Sequence, residues 1–336
     1  MNATSTEAIC VIIAAKNAAG TIGDAIRSAL REPEVAEVVV VDDGSSDDTA
    51  LAASRADDRS GRLNVVSFSQ NRGPSAARNH AISVSRSPLI AILDADDFFF
   101  PGRFKPMLQE QGWDLIADNI AFIHGSSGAV EPARFEPRPR QISLVEFIEG
   151  NISKRGLKRG EIGFLKPVIR RSFLDTHGLR YKEDLRLGED YEFYVQALAK
   201  GARYTVIEHC GYGAIVRHDS LSGRHRTEDL RRLYEADRAL QAVPGLLSPK
   251  GRAAIVRHER HIRERYELRA FLDTKAQSGK AAAIAWTLRR PMAVPAIATG
   301  ILSDKLEALR KRSGLDRPVP TQNLRYLLQG VPAAQK

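Results

Sequence analysis

Val38-Val39-Val40-Val41-Asp42-Asp43-Gly44-Ser45-Ser46-Asp47 runs four β-branched residues straight into two carboxylates, a glycine and a pair of serines. The valine run reads as a strand buried on both faces, as in a parallel sheet covered by helices. Gly44 supplies a turn, and Ser46 or Asp47 can cap the helix that follows. An ionised Asp at such a strand end only accepts hydrogen bonds, so it suits a nucleoside base or a ribose hydroxyl as well as it suits the turn.

Working outward, residues 9–14, 63–68 and 89–93 are further short apolar runs of the same kind. Helical patterns lie between them: Ile22, Ile26 and Leu30 repeat at i, i+4 and i+8, and Pro74 opens a helix reaching Ser85. This alternation predicts an α/β fold of consecutive βα units with a mostly parallel sheet. Such sheets bind ligands beyond the carboxyl ends of their strands, so residues 42–46, 71–72 and 94–97 are expected to line one crevice. The last of these spaces two carboxylates as Asp94-Ala95-Asp96. Mg²⁺ and Mn²⁺ prefer carboxylate oxygens and can bridge from one or two of them to substrate phosphates, although Asp-x-Asp also occurs in ordinary loops.

Residues 125–140 are rich in Gly, Pro and Arg and read as a loop before a short helix near 144–149. A strand-like approach at 161–170, helices at 171–177 and 190–200, and two strands at 203–209 and 212–217 complete an α/β domain over residues 1–224. Residues 225–336 read as a helical extension with densely mixed charge, and no strand is expected there.

With Val11-Ile12-Ile13-Ala14-Ala15-Lys16-Asn17 and Asn71-Arg72-Gly73-Pro74-Ser75-Ala76-Ala77-Arg78-Asn79, the two acidic clusters make four ordered motifs. Together they resemble the N-terminal half of family 2 glycosyltransferases. The resemblance implies a GT-A nucleotide-binding fold in which Asp43, with Asp42, contacts the uracil or ribose and Arg78 borders the nucleotide. It also implies that Asp94 approaches the ribose and that Asp96 ligates a Mg²⁺ or Mn²⁺ on the diphosphate, with Ala14, Asn17 and Ala95 in the same nucleotide-binding set. The family often has Pro-x-Tyr-Asn where this chain has Ala14-Ala15-Lys16-Asn17, so an aromatic platform for the base is lost. UDP is the expected nucleotide.

Leu187-Gly188-Glu189-Asp190-Tyr191-Glu192-Phe193 resembles the family's Glu-Asp pair at the start of a helix beneath the acceptor, which implies catalytic roles for Glu189 and Asp190, with Asp190 as general base. A sugar hydroxyl attacking an anomeric carbon must lose its proton, and a carboxylate opposite the leaving diphosphate can take it in a single displacement that inverts the centre. Acidic residues there also suit the helix dipole alone. Residues 212–222 are similar to a family segment that closes over the pyrophosphate. Arg217 would stabilise charge on the leaving UDP, while His218 is a candidate metal ligand or a surface residue. Residues 160–222 look closest to bacterial exopolysaccharide glycosyltransferases of the succinoglycan-biosynthesis type, and past Arg224 the resemblance lapses.

The 336 residues, 43% hydrophobic and 27% charged, suffice for one large α/β domain and a smaller appendage. Cys10 and Cys210 are too few for a disulfide framework, and the short polar start lacks a secretory pattern, so a reducing cytosol is expected. The most apolar stretch, 281–302, is broken by Arg289, Arg290, Pro291 and Pro295 and is not expected to span a membrane. The net charge of +9 fits an anionic membrane surface, nucleic acid or a pyrophosphate-bearing substrate. The motifs favour the last, and no nucleic acid partner is expected. Trp286 beside Arg289 and Arg290 suits peripheral contact with a membrane interface, and equally helix packing on the first domain.

The expectation is transfer of a hexose from a UDP-sugar to a carbohydrate acceptor, a lipid-linked oligosaccharide of exopolysaccharide biosynthesis. A sugar-phosphate nucleotidyltransferase would need a Gly-rich first loop, and residues 12–20 hold only Gly20. A phospho-acceptor signalling domain would carry its acidic pair after the first strand rather than after the second and fourth. A non-catalytic nucleotide-sugar-binding scaffold stays open.

Overall fold

Strands β1 (Ile9–Ala15), β2 (Val35–Asp42), β3 (Leu63–Ser67) and β4 (Leu89–Ile92) alternate with helices α1 (Ile22–Leu30), α2 (Thr49–Arg55) and α3 (Pro74–Val84). The computed structural model describes residues 7–124, 130–153, 162–216, 226–312 and 324–328. β1 pairs in parallel with β2 on one side and β4 on the other, and β2 pairs in parallel with β3. Ile9, Val11, Ile13, Val38, Val40 and Ile92 are wholly buried. Each contributes about 1.5–3 kcal/mol by leaving water. That burial holds the carboxyl ends of β2 and β4 at one edge of the sheet.

After β4 the chain adds β5 (Phe98–Phe99), α4 (Phe104–Leu108), β6 (Leu115–His124), β7 (Arg140–Ile142), α5 (Leu144–Gly150), β8 (Val168–Arg170), α6 (Arg171–Thr176), α7 (Glu189–Ala199) and β9 (Tyr204–Val216). The sheet order is β3-β2-β1-β4-β8-β6-β9-β5. β8 runs antiparallel to both β4 and β6, while β6 and β9 are parallel. Antiparallel pairs therefore enter only beyond β4.

Three expectations are corrected here. Residues 204–216 form one strand instead of two, because Gly211 and Gly213 lie flat against bulky neighbours. A Cβ at Gly211 would sit 2.4 Å from Arg103 Cγ, and one at Gly213 would sit 2.5 Å from the Phe98 ring. The approach to β8 is a 3-10 turn at Ile162–Phe164, with only Val168–Arg170 extended. Residues past 227 do include a strand, β10 (Leu324–Tyr326), antiparallel to the end of β6.

The chain divides into two compact units, Met1–Ser220 with Asn323–Lys336, and Leu221–Gln322. The second contains α8 (Thr227–Ala242), α9 (Pro249–Leu288) and α10 (Val294–Arg312). α9 is interrupted at Gly279, whose φ of 85° only glycine adopts readily. His258 Nδ1 lies 2.6 Å from Asp237 Oδ2, a buried polar link between α9 and α8. Among the described residues, no helix is long and apolar enough to cross a membrane.

Candidate active site

The loops leaving β1 and β2 are knitted together by side chains from both motifs. Asn17, at φ 49°, donates its N–H to Ser45 Oγ at 2.9 Å and accepts from Ser46 N–H through Oδ1 at 2.9 Å. Lys16 Nζ donates to the carbonyl oxygens of Asp43 and Gly44. Asp42 Oδ1 accepts from Ser45 N–H at 3.1 Å, closing the turn. Gly44 has φ 62°, and a Cβ there would lie 2.6 Å from the carbonyl carbon of Gln70.

Asp43 is buried and reaches across to the loop after β3. Its Oδ1 accepts from Arg72 N–H at 2.6 Å and its Oδ2 from Gly73 N–H at 2.9 Å. A carboxylate has about four lone-pair sites, so two remain for a ligand. The carboxylate also fixes the backbone from which α3 starts, with Gly73 at φ 95° and Pro74 at the first helical position.

One turn into α3, Arg78 points into the crevice with only 6% of its side chain exposed. One nitrogen of its guanidinium, Nη2, donates to Asp94 Oδ1 at 2.9 Å. The other, Nη1, donates to Asp190 Oδ1 at 3.0 Å and to Glu189 Oε1 at 3.2 Å. Residues 16 and 112 positions away thus meet on one side chain. Tyr181 lies beneath the guanidinium, 5.4 Å from ring centre to Arg78 Cζ.

Lys166 completes the cluster from the opposite side. Its buried Nζ is 2.8 Å from Asp94 Oδ2 and 2.8 Å from Asp190 Oδ2. Asp94 and Asp190 are therefore each held by both oxygens, one on the guanidinium and one on the ammonium. Sequence reasoning missed Lys166, a lone lysine before a proline with no motif around it. It missed Tyr212 too, whose hydroxyl donates to Asp97 Oδ2 at 2.8 Å and accepts from Asp94 N–H at 3.2 Å.

For Asp94, Lys166 and Arg78 burial opposes the charge, and attraction to their opposite neighbours overcomes it. Desolvation would push Asp94 up, but Lys166 and Arg78 hold its carboxyl well below the usual carboxylate range. Burial likewise opposes the charges of Lys166 and Arg78, yet Asp190 and Asp94 raise both. Glu189 is pushed up, first by burial and then by the Asp190 charge beside it. Asp97 is raised by burial and by the Asp94 and Asp96 charges. Three carboxylates against two cations leave this cluster one negative charge in excess.

Of the other sequence-selected residues, Ala14 is half-buried at the end of β1, Ala95 is buried between the two aspartates, and Asp96 is half-buried just beyond β4. Asp42, Asp43 and Asn17 belong to the loop network, whereas Arg78, Asp94, Glu189 and Asp190 share the charged cluster. Arg217 and His218 lie outside the described residues. Among the described residues, no three His, Cys, Asp or Glu side chains are grouped to hold a metal ion on their own.

Comparison with known proteins agrees with this fold. The model of the family described as glycosyl transferase family 2 matches residues 10–176. The succinoglycan biosynthesis protein ExoU of Rhizobium meliloti (strain 1021) is 60% identical over 341 residues, covering 100% of this chain and 99% of that protein. ExoO, a succinoglycan biosynthesis protein of the same strain, is 35% identical over 294 residues, or 85% of this chain and 82% of its own. Among solved structures, S. aureus TarS 1-349 in complex with UDP-GlcNAc superposes with a TM-score of 0.58 at 19% identity, over 86% of this chain and 79% of that one.

Proposed function

The chain belongs to glycosyl transferase family 2 and has the GT-A fold; from that premise we propose that it moves a hexose from a UDP-sugar to a carbohydrate acceptor with inversion, using Asp190 as the base. The observation that carries this is the Arg78 guanidinium, which joins Asp94 at the end of β4 to Glu189 and Asp190 at the start of α7. The first marks the nucleotide side of the crevice and the second the acceptor side. TarS holds UDP-GlcNAc on the same fold, which supports a nucleotide-sugar donor.

In the transfer step the acceptor hydroxyl attacks the anomeric carbon and gives its proton to Asp190. The new C–O bond forms as the bond to the diphosphate oxygen breaks, and UDP carries away the electron pair. Attack opposite the leaving group inverts the centre. Each Asp190 oxygen keeps a lone-pair site beside its ion pair, and one of these accepts the hydroxyl proton.

Asp96 is the residue that would hold a Mg²⁺ or Mn²⁺. The residues fit such an ion: Asp96 is a carboxylate just beyond β4, and the crowded negative charge of Asp94 and Asp96 that raises Asp97 suits a nearby cation. Mg²⁺ commonly takes one or two carboxylates and completes its shell with substrate phosphates. Bound there, the ion would supply charge neutralisation for the departing diphosphate. Incubating the protein with UDP-, GDP- and dTDP-sugars in Mn²⁺ and recording nucleotide release tests the donor. Release from a UDP-sugar alone is expected, and release from none would sink the proposal.

The 60% identity to ExoU, a succinoglycan biosynthesis protein, supports a place in exopolysaccharide assembly, and the acceptor we propose there is a lipid-linked oligosaccharide. The second unit supports attachment at the cytoplasmic membrane face. Between Asp273 and Asp304 the chain carries Lys275, Lys280, Arg289 and Arg290 and no carboxylate. Ile284, Leu288 and Met292 are exposed along the same stretch, Leu288 at 76% and Met292 at 82%. Arg290 covers the Trp286 ring at 4.4 Å. Basic residues near an anionic lipid surface contribute about 1 kcal/mol each. Flotation with phosphatidylglycerol vesicles is expected to carry the protein, and L288E/M292E to abolish it. Equal binding to neutral phosphatidylcholine, or self-association in place of lipid binding, overturns this part.

A further inference from the structure

We propose that Lys166 is a positioning residue for glycosyl transfer, its ammonium setting the orientation of the base relative to the donor-side carboxylate. This rests on the assignment of Asp190 as the base. Arg78, Asp94, Lys166 and Asp190 form a closed ring of ion pairs, in which every carboxylate oxygen has a different cation from its twin. Without Lys166, Asp94 and Asp190 would each keep a bond through Oδ1 and lose the one through Oδ2. Each carboxylate could then swing about its last torsion. Two bonds fix the plane of a carboxylate, and one does not.

The anchor of Lys166 is stiff. Its backbone carbonyl accepts from Arg103 Nη2 at 2.5 Å, and Arg103 is paired with Asp118 at 2.8 Å with neither side chain exposed. Asp118 in turn accepts the N–H of Gly211 at 2.8 Å, so the lysine hangs from β6 and β9 together. A lysine serving only to balance charge would need no such mounting. Lys166 touches neither Asp43 nor the loop around Asn17 through any hydrogen bond described above, so donor contacts in that network do not depend on it, and Asp94, which it does meet, keeps its bond to Arg78 when the lysine is replaced.

The test pairs two readouts on the full chain: UDP affinity by calorimetry with Mn²⁺, and kcat with a UDP-sugar, with a thermal melt to confirm folding. Lys166→Met is expected to keep UDP affinity within about threefold while kcat falls about 100-fold, the scale on which a misplacement of about 1 Å acts. Lys166→Ala should lose as much kcat and recover part of it with added ethylammonium, which can return a positive charge to the vacated space. If Met does not fold, Lys166→Arg decides, because it keeps the charge but displaces it: positioning predicts lost kcat with UDP affinity kept. A parallel fall in affinity and kcat, or kcat within about threefold of wild type, overturns the proposal. Wild type without turnover of any nucleotide sugar would instead overturn the reaction itself.

Discussion

Replacing Asp190 by Asn removes the proposed base while nearly preserving its shape. Before the change, Asp94, Glu189 and Asp190 face Arg78 and Lys166. Afterwards two carboxylates face two cations, so no buried charge is left without an opposite. The amide can accept from only one of them, however, and its NH₂ must turn toward the Arg78 or Lys166 group that Asp190 now meets at 3.0 or 2.8 Å. That mismatch should cost about 1–3 kcal/mol of stability, the usual cost of an unsatisfied buried partner. For a unit of this size the melting temperature should fall by about 2–4 °C per kcal/mol. General-base catalysis contributes about 10²–10⁴ in rate, or about 2.7–5.4 kcal/mol of barrier. Donor turnover with acceptor, measured by UDP release, should therefore fall by at least about 10² while UDP affinity stays within about threefold. Retention of more than about a tenth of wild-type kcat, or loss of UDP binding in proportion to activity, would refute the assignment of the base.

Arg78→Met leaves three carboxylates on Lys166 alone, and breaking a buried charge network of this kind should destabilise the fold by about 3–5 kcal/mol, read by chemical denaturation. Asp96→Ala should weaken UDP binding in Mn²⁺ while leaving weak binding in EDTA unchanged, read by calorimetry under both conditions. Gly44→Ala forces a side chain into the left-handed region and against Gln70, so a loss above about 1–2 kcal/mol is expected from unfolding curves. Cys10 and Cys210 are buried, and burial pushes the Cys10 thiol up to about 12 and raises Cys210 as well. Neither should react with a thiol reagent at neutral pH until denaturant is added, when both should react.

The half of the sheet around β1 was legible because Ile9–Ala15, Val35–Asp42 and Leu89–Ile92 are apolar on both faces and end in polar clusters. Local pattern and tertiary role coincide there. β9 was not legible as one strand, since Gly211 and Gly213 look like a turn until Arg103 and Phe98 are known to press on them. β10 spans three residues, and its partner lies about 200 positions earlier, too short and too distant for any periodicity to register. The site divides in the same way. Asp94 and Asp190 stood out as motif residues, but nothing in the chain announces that Lys166 lies between them, because a buried lysine is marked only by the two acids it meets.

Leu324–Tyr326 has a practical consequence. Tyr326 Oη accepts from Ala133 N–H, and Asn119 bonds to Leu328 through both ends of its amide, so the last described residues are sewn into the same sheet as the first. The helical unit is thus a detour rather than a tail, tethered at its exit and at its return. Cutting the gene after codon 224 would remove β10 along with those helices and leave the end of β6 without its antiparallel neighbour, and an enzyme made that way would be expected to precipitate. Splicing a short linker from residue 220 to residue 323 preserves the returning strand and is the sounder way to study either part alone.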